Sequence, residues 1–188
     1  MQSHIFIGYR GTGKTTVAQK LAARFALSVF DSDAEVERLS GKTIAAIFEQ
    51  DGEPAFRDFE ESVIVNILAN PSPLVLSTGG GAILRSTTRN LLRHSGKVVW
   101  LTASPETILR RISNDAATQT MRPSLTALPM YEEIVAVLEQ RQTLYSATAH
   151  TVIDTDCMTA DDIVERLIEA MGVAEEFRAR HAENCQTF

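Results

Sequence analysis

Cysteine is nearly absent from this chain of 188 residues: Cys157 and Cys185 are the only two, they form no C-x-x-C pair, and no histidine stands near them at ligand spacing. Neither a disulfide scaffold nor a zinc site built on thiolates is therefore expected, and both thiols are expected to be reduced and incidental. No apolar run approaches the roughly 20 residues needed to span a bilayer, and no charged, then apolar, then small-residue leader opens the chain. A cytoplasmic protein that does not engage membranes is expected. Net positive charge is lacking as well. At a formal −6 the chain has no basic excess with which to hold nucleic acid or an acidic membrane surface. Internal repeats and low-complexity tracts are missing too. With 44% hydrophobic and 22% charged residues, the composition is that of an ordinary globular protein, and the length suits one domain.

What is present is organised around Gly8-Tyr9-Arg10-Gly11-Thr12-Gly13-Lys14-Thr15-Thr16, between the apolar run Ile5-Phe6-Ile7 and Val17-Ala18-Gln19-Lys20-Leu21-Ala22. The order is strand, glycine-rich loop, helix, and the spacing fits G-x-x-x-x-G-K-[ST]. In such a loop consecutive backbone N–H groups turn inward around phosphates, the lysine reaches the outer phosphates and Thr15 offers a hydroxyl to Mg²⁺. The helix starting near Lys14 points its positive end at the same anion. A chance glycine-rich turn is the alternative, and both flanks argue against it. An acidic protein that binds polyphosphate must gather positive charge locally, which makes individual arginines informative.

Along the rest of the chain short apolar segments alternate with helical ones. Leu27–Phe30 is expected as a strand ending in Asp31-Ser32-Asp33, with Asp31 and Asp33 projecting together from its carboxyl end unless one merely caps the helix that follows. Helices are expected over 34–39, over 44–48 closed at Gly52, and from Ala55 to about Ala69 with Pro54 in the first turn. Arg57 stands at the start of that last helix, where a cation opposes the macrodipole. A ligand role and an ion pair with Glu60 or Glu61 are both open. Leu74–Ser77 is expected as a buried parallel strand. Thr78-Gly79-Gly80-Gly81 follows it directly, and three glycines there suggest close approach of a ligand or another backbone, a plain surface turn being the alternative.

A polar helix over 86–94 leads to a strand at Val98–Leu101 and a helix opened by Ser104-Pro105-Glu106. Residues 113–128 are rich in small polar residues, include Met121-Arg122-Pro123, and are expected to form a lid. Pro129 opens a helix with Ile134, Val137, Leu138 and Leu144 on its buried side, and with Arg141 and Tyr145 near its end. Thr151–Ile153 is the last strand, and Thr159 with Asp162 resembles a capping pair for a helix through Met171. Residues 173–188 are expected as a helical or frayed tail. Five strand–helix alternations predict a three-layer α/β architecture with a five-stranded parallel sheet between helices.

Taken together, the phosphate loop, Asp31-Ser32-Asp33, Phe56-Arg57, Gly79-Gly80-Gly81, Arg122-Pro123, and Arg141 with Tyr145 resemble the shikimate kinase family over about residues 4 to 171. The resemblance implies a P-loop fold like that of the nucleoside monophosphate kinases, with strand order 2-3-1-4-5, in a single domain over 1–172. A substrate-binding region around 33–61 and the lid at 113–128 belong to it. It implies ATP-dependent phosphorylation of the 3-hydroxyl of shikimate, a step of aromatic amino-acid biosynthesis, by a monomer whose partners are these two small molecules. ATP is to be held by Gly11, Thr12, Gly13, Lys14, Thr15, Thr16, Arg111 and Arg122, with Arg111 near adenine facing the loop Asp154–Cys157. Shikimate is to be held by Asp33 through its hydroxyls, by Arg57 and Arg141 through its carboxylate, and by Gly79, Gly80 and Gly81. Lys14, Asp33 and Arg122 are the implied catalytic groups. Mg²⁺ is to be held by Thr15 directly and Asp31 through water.

Two departures stand out: Arg122-Pro123-Ser124-Leu125 where the family often has R-P-L-L, and a lengthened stretch between Arg111 and Arg122. Neither removes a charged contact. The rival expectations are a kinase for gluconate or a nucleoside monophosphate, and a nucleotide-binding regulator without catalysis.

Overall fold

Alternation of side chains along the central strand decides how the layers form. In β1 (His4–Ile7), Ile5 and Ile7 belong to one apolar cluster and Phe6 to another, and all three are fully buried. A strand presenting apolar groups on both faces must be covered on both. The computed structural model describes residues 2–114 and 129–171. The other strands are β2 (Ser28–Asp31), β3 (Leu74–Ser77), β4 (Lys97–Thr102) and β5 (Thr151–Asp154). They pair in parallel in the order β2-β3-β1-β4-β5, the order that the family resemblance implied. The helices are α1 (Lys14–Phe25), α2 (Ser32–Ser40), α3 (Ile44–Gln50), α4 (Gly52–Leu68), α5 (Ser86–Ser95), α6 (Pro105–Asn114), α7 (Met130–Thr148) and α8 (Ala160–Ala170).

Helices α1 and α8 cover one face through Val17, Leu21, Ile163 and Leu167, packed with Phe6, Val75, Val99 and Ile153. On the other face Val36, Ile44, Phe56, Ile64, Leu92 and Tyr145 pack on Ile5, Ile7, Leu74, Leu76 and Val98. Each fully buried aliphatic or aromatic side chain of this kind contributes about 1.5–3 kcal/mol. A third, smaller cluster joins α6 to α7 through Ile108, Ile112, Ile134 and Val137, with Tyr9 of the phosphate loop packed into it. Among the described residues no helix is long and apolar enough to cross a membrane.

Local structure corrects three expectations. Strand β2 ends at Asp31 and Ser32 already opens α2, so Asp31 and Asp33 do not share a strand face. The cause is the Asp31 carboxylate, which accepts the N–H groups of Asp33 at 3.0 Å and Ala34 at 3.4 Å and thereby starts the helix. Gly52 does not merely close α3: it is the first residue of α4, with Asp51 capping both helices and Pro54 in the first turn, where its missing N–H costs nothing. Helix α6 runs through Asn114, two residues into the expected lid. The remainder of that lid with Arg122, and the tail at 173–188 with Cys185, lie outside the described residues. The capping pair at Thr159 and Asp162 is present as a reciprocal box.

Candidate functional site

A cavity of about 430 Å³ opens at the carboxyl ends of β1, β2 and β3. Its lining includes Gly11, Gly13, Lys14, Thr15 and Thr16 from the phosphate loop, Asp31 and Asp33 from the β2–α2 junction, and Gly80 from the glycine triplet. In parallel sheets ligands bind outside this edge, because the loops leaving neighbouring strands diverge there.

The loop itself requires its glycines. Gly11 and Gly13 have φ of +79° and +88°, values that L side chains rarely adopt. Gly13 also serves as N-cap of α1 with no side-chain cap and no acidic residue in the first turn. The orphan N–H groups of that turn are thus left for an anion. Thr12 is buried, and its hydroxyl donates to the Tyr9 carbonyl at 2.8 Å. Lys14 donates to the same carbonyl at 2.8 Å, so its ammonium is folded back over the loop.

Thr15 joins the loop to two strands. Its hydroxyl donates to Asp31 Oδ2 at 2.7 Å and lies 3.2 Å from the Ser77 hydroxyl. The parallel register that places Asp31 opposite Ser77 brings the two together. These three groups are hard oxygen donors, the type that suits Mg²⁺ beside phosphates. No cluster of three or more His, Cys, Asp or Glu that could hold a metal occurs among the described residues. A cation here would therefore complete its shell with substrate oxygens and water.

The glycine triplet is gripped by four side chains. A Cβ at Gly81 would overlap the guanidinium of Arg57, so only glycine lets that arginine lie against the chain. Gly80 offers its carbonyl to Arg141 Nη1 at 3.1 Å and to the Tyr145 hydroxyl at 2.6 Å. Gly79 donates its N–H to the buried Ser32 hydroxyl at 2.9 Å. Arg57 and Arg141 are both buried and stand behind the triplet, outside the residues lining the cavity. Arg57 is paired with Glu60 at 2.6 Å and with the half-exposed Glu53 at 3.0 Å, and its guanidinium lies 4.9 Å from the Phe56 ring centre. The ion pair weighed from sequence is therefore real, with Glu53 rather than Glu61 as the second carboxylate.

Arg111 reaches from α6 to the phosphate loop and to the turn after β5. It donates to Gly11 O at 3.3 Å and to the Thr155 hydroxyl and carbonyl at 2.9 and 2.7 Å, clamping the phosphate loop to the turn after β5. Asp156 fixes the same turn by accepting Ser104 N–H at 2.9 Å.

Sequence reasoning missed Ser32, Ser77, Arg10 and Glu133. Arg10 lines the cavity and donates to Glu133 at 2.8 Å, and Glu133 is fully buried. The signal existed: Glu133, Val137, Arg141 and Tyr145 recur every four residues and form one buried face of α7. Arg10 also lies 5.7 Å from the ring centre of Tyr9. Burial pushes the Tyr9 phenol above its ordinary pKa, against the opposing effect of the Arg10 guanidinium.

Comparison with known proteins agrees with this geometry. The family model for shikimate kinase matches residues 10–172. The chain is 39% identical over 168 residues to a shikimate kinase of Rhodopirellula baltica, covering 89% of each chain. It is 42% identical over 168 residues to one of Pelotomaculum thermopropionicum, covering 89% of this chain and 94% of that one. Among solved structures, shikimate kinase from Acinetobacter baumannii in complex with shikimate superposes with a TM-score of 0.83 at 34% identity, over 91% of this chain and 93% of that one. With the family model spanning most of its length and the phosphate loop facing the glycine triplet across one cavity, this chain belongs to the shikimate kinase family.

Proposed function

We propose that the protein transfers the γ-phosphoryl group of ATP to the 3-hydroxyl of shikimate. The observation that carries this reading is the meeting, at one cavity, of a phosphate loop and a glycine triplet held by two buried arginines. The first suits a nucleoside triphosphate, and the arginines suit a carboxylate, because a planar guanidinium donates two parallel hydrogen bonds to it. Residues 1–172 act as one kinase unit, with 33–61 as the acceptor region and 113–128 as the lid, and the protein works as a cytoplasmic monomer.

In the reaction the 3-hydroxyl oxygen forms a bond to the γ-phosphorus, the bond to the ADP oxygen breaks, and the hydroxyl proton is lost. The transition state is loose, so positioning and charge compensation do most of the work. Backbone N–H groups of Gly11–Thr16 hold the phosphates, and Lys14 exchanges the Tyr9 carbonyl for a phosphate oxygen. Lys14 and Arg122 meet the charge that develops on the transferred group. Arg111 lies beside the adenine. Thr15, and Asp31 through water, would hold Mg²⁺, which would neutralise phosphate charge. Asp33 accepts the acceptor's hydroxyls and orients the attacking oxygen. Because a carboxylate is a weak base toward an alcohol, proton removal is its lesser role. Arg57, Arg141 and residues 79–81 hold the carboxylate. Closure of the lid excludes water and favours transfer over ATP hydrolysis.

Coupled ADP release measured with shikimate, quinate, gluconate and AMP tests the assignment. Turnover with shikimate alone, or with shikimate and more weakly with quinate, is expected; turnover with gluconate or AMP in its place would overturn it. ATP binding without turnover of any acceptor would favour the regulator.

A further inference from the structure

Tyr145 is not among the groups expected to touch either substrate, yet its hydroxyl reaches the glycine triplet. Its ring is 1% exposed and stacks on Trp100 with centroids 5.4 Å apart and planes at 17°. Its hydroxyl donates to the Gly80 carbonyl at 2.6 Å, the same oxygen that accepts Arg141 Nη1 at 3.1 Å. A carbonyl oxygen has two lone pairs, so these donors together occupy its full accepting capacity. Tyr145 and Arg141 are one helical turn apart on the buried face of α7.

We infer that Tyr145 is a positioning residue for the acceptor carboxylate, acting through Gly80 and Arg141. This rests on the reading of the site as a shikimate site. The stack on Trp100 fixes the ring, the short hydrogen bond fixes the Gly80–Gly81 peptide plane, and that plane in turn fixes one N–H of the Arg141 guanidinium. Arg141 Nε is buried and makes no hydrogen bond among the described residues, so the guanidinium retains donor capacity for a carboxylate. Without the phenol, Gly80 is held by Arg141 alone. The arginine then serves both the carbonyl and the ligand, and its orientation loosens. A misplacement of this size acts on binding of the acid and leaves the phosphate loop untouched.

Tyr145→Phe keeps the ring and the stack and removes only the hydroxyl. Shikimate KM in steady-state kinetics, and shikimate Kd by calorimetry without nucleotide, are both expected to rise about five- to tenfold. The ATP KM and kcat are expected to stay within about twofold, with a fall of only a few degrees in melting temperature. In an Arg141→Lys background, Tyr145→Phe is expected to add less than about twofold to the shikimate KM, since the group it orients is already gone. An unchanged shikimate Kd in Tyr145→Phe, an equal rise in the ATP KM, or full multiplication of the two effects would each overturn the inference. Failure of the wild-type protein to turn over shikimate would instead strike the functional reading, which the same assay reports separately.

Discussion

Gly81 and Arg57 occupy adjoining space so closely that a methyl group on the glycine would overlap the arginine's guanidinium. Neither residue explains itself alone. Arg57 is a buried cation in the second turn of α4, and Gly81 is a turn residue with no positive φ to account for its lack of a side chain. Their contact accounts for both.

Gly81→Ala is expected to push Arg57 off the triplet and raise the shikimate KM at least about tenfold, with the ATP KM little changed. Arg57→Ala is expected to do the same. Combining the two should cost little beyond either alone, because both remove one contact. Steady-state kinetics on the three variants with each substrate varied gives the answer, and a Gly81→Ala protein with wild-type shikimate KM contradicts the steric account.

Asp31 has two functions that one substitution separates. Its Oδ1 caps α2 and its Oδ2 accepts the Thr15 hydroxyl. Asparagine caps a helix about as well as aspartate does, so Asp31→Asn is expected to change stability by less than about 1 kcal/mol. The lost charge next to Thr15 is expected to raise the Mg²⁺ concentration needed for half-maximal rate by roughly tenfold or more. A magnesium titration of initial rates alongside a thermal melt checks both halves.

His4 predicts a pH dependence of stability. It is buried at the start of the central strand, and neither ring nitrogen has a hydrogen-bond partner among the described residues. Burial, and next the Lys97 ammonium, hold its pKa below the ordinary 6.5. The unfolded chain therefore binds the proton more readily than the folded one. The stabilisation from a neutral His4 is complete above about pH 6.5 and is lost as the pH falls below it, by at most about 1.4 kcal/mol per pH unit. Burial, ahead of Arg93 and Lys97, lowers the pKa of His150 too and contributes in the same direction. Urea unfolding at pH 7.5 and 5.5 is expected to show a smaller difference for His4→Leu than for the wild-type protein, and equal differences would remove His4 from this account.

The parts of this protein legible from residue order are those whose physics is local. A strand, a glycine-rich turn and a helix are encoded within Ile5–Ala22, because positive φ at Gly11 and Gly13 and the apolar flanks need no distant partner. The same holds for the capping box at Thr159 and for the alternation of strands and helices, whose parallel sheet order the family resemblance supplied. Tertiary structure alone decided which polar groups meet. Ser77 ends an apolar strand and looked structural, but the register of β2 on β3 sets it opposite Asp31, within reach of Thr15. Glu133 is 123 residues from Arg10, and no local pattern could pair them. Asp31 was readable as a strand end or a cap and proved to be both, since a carboxylate has two oxygens and the fold supplied a donor for each. Local backbone preferences write elements into the chain, whereas the partners of a buried charge are chosen only when those elements pack.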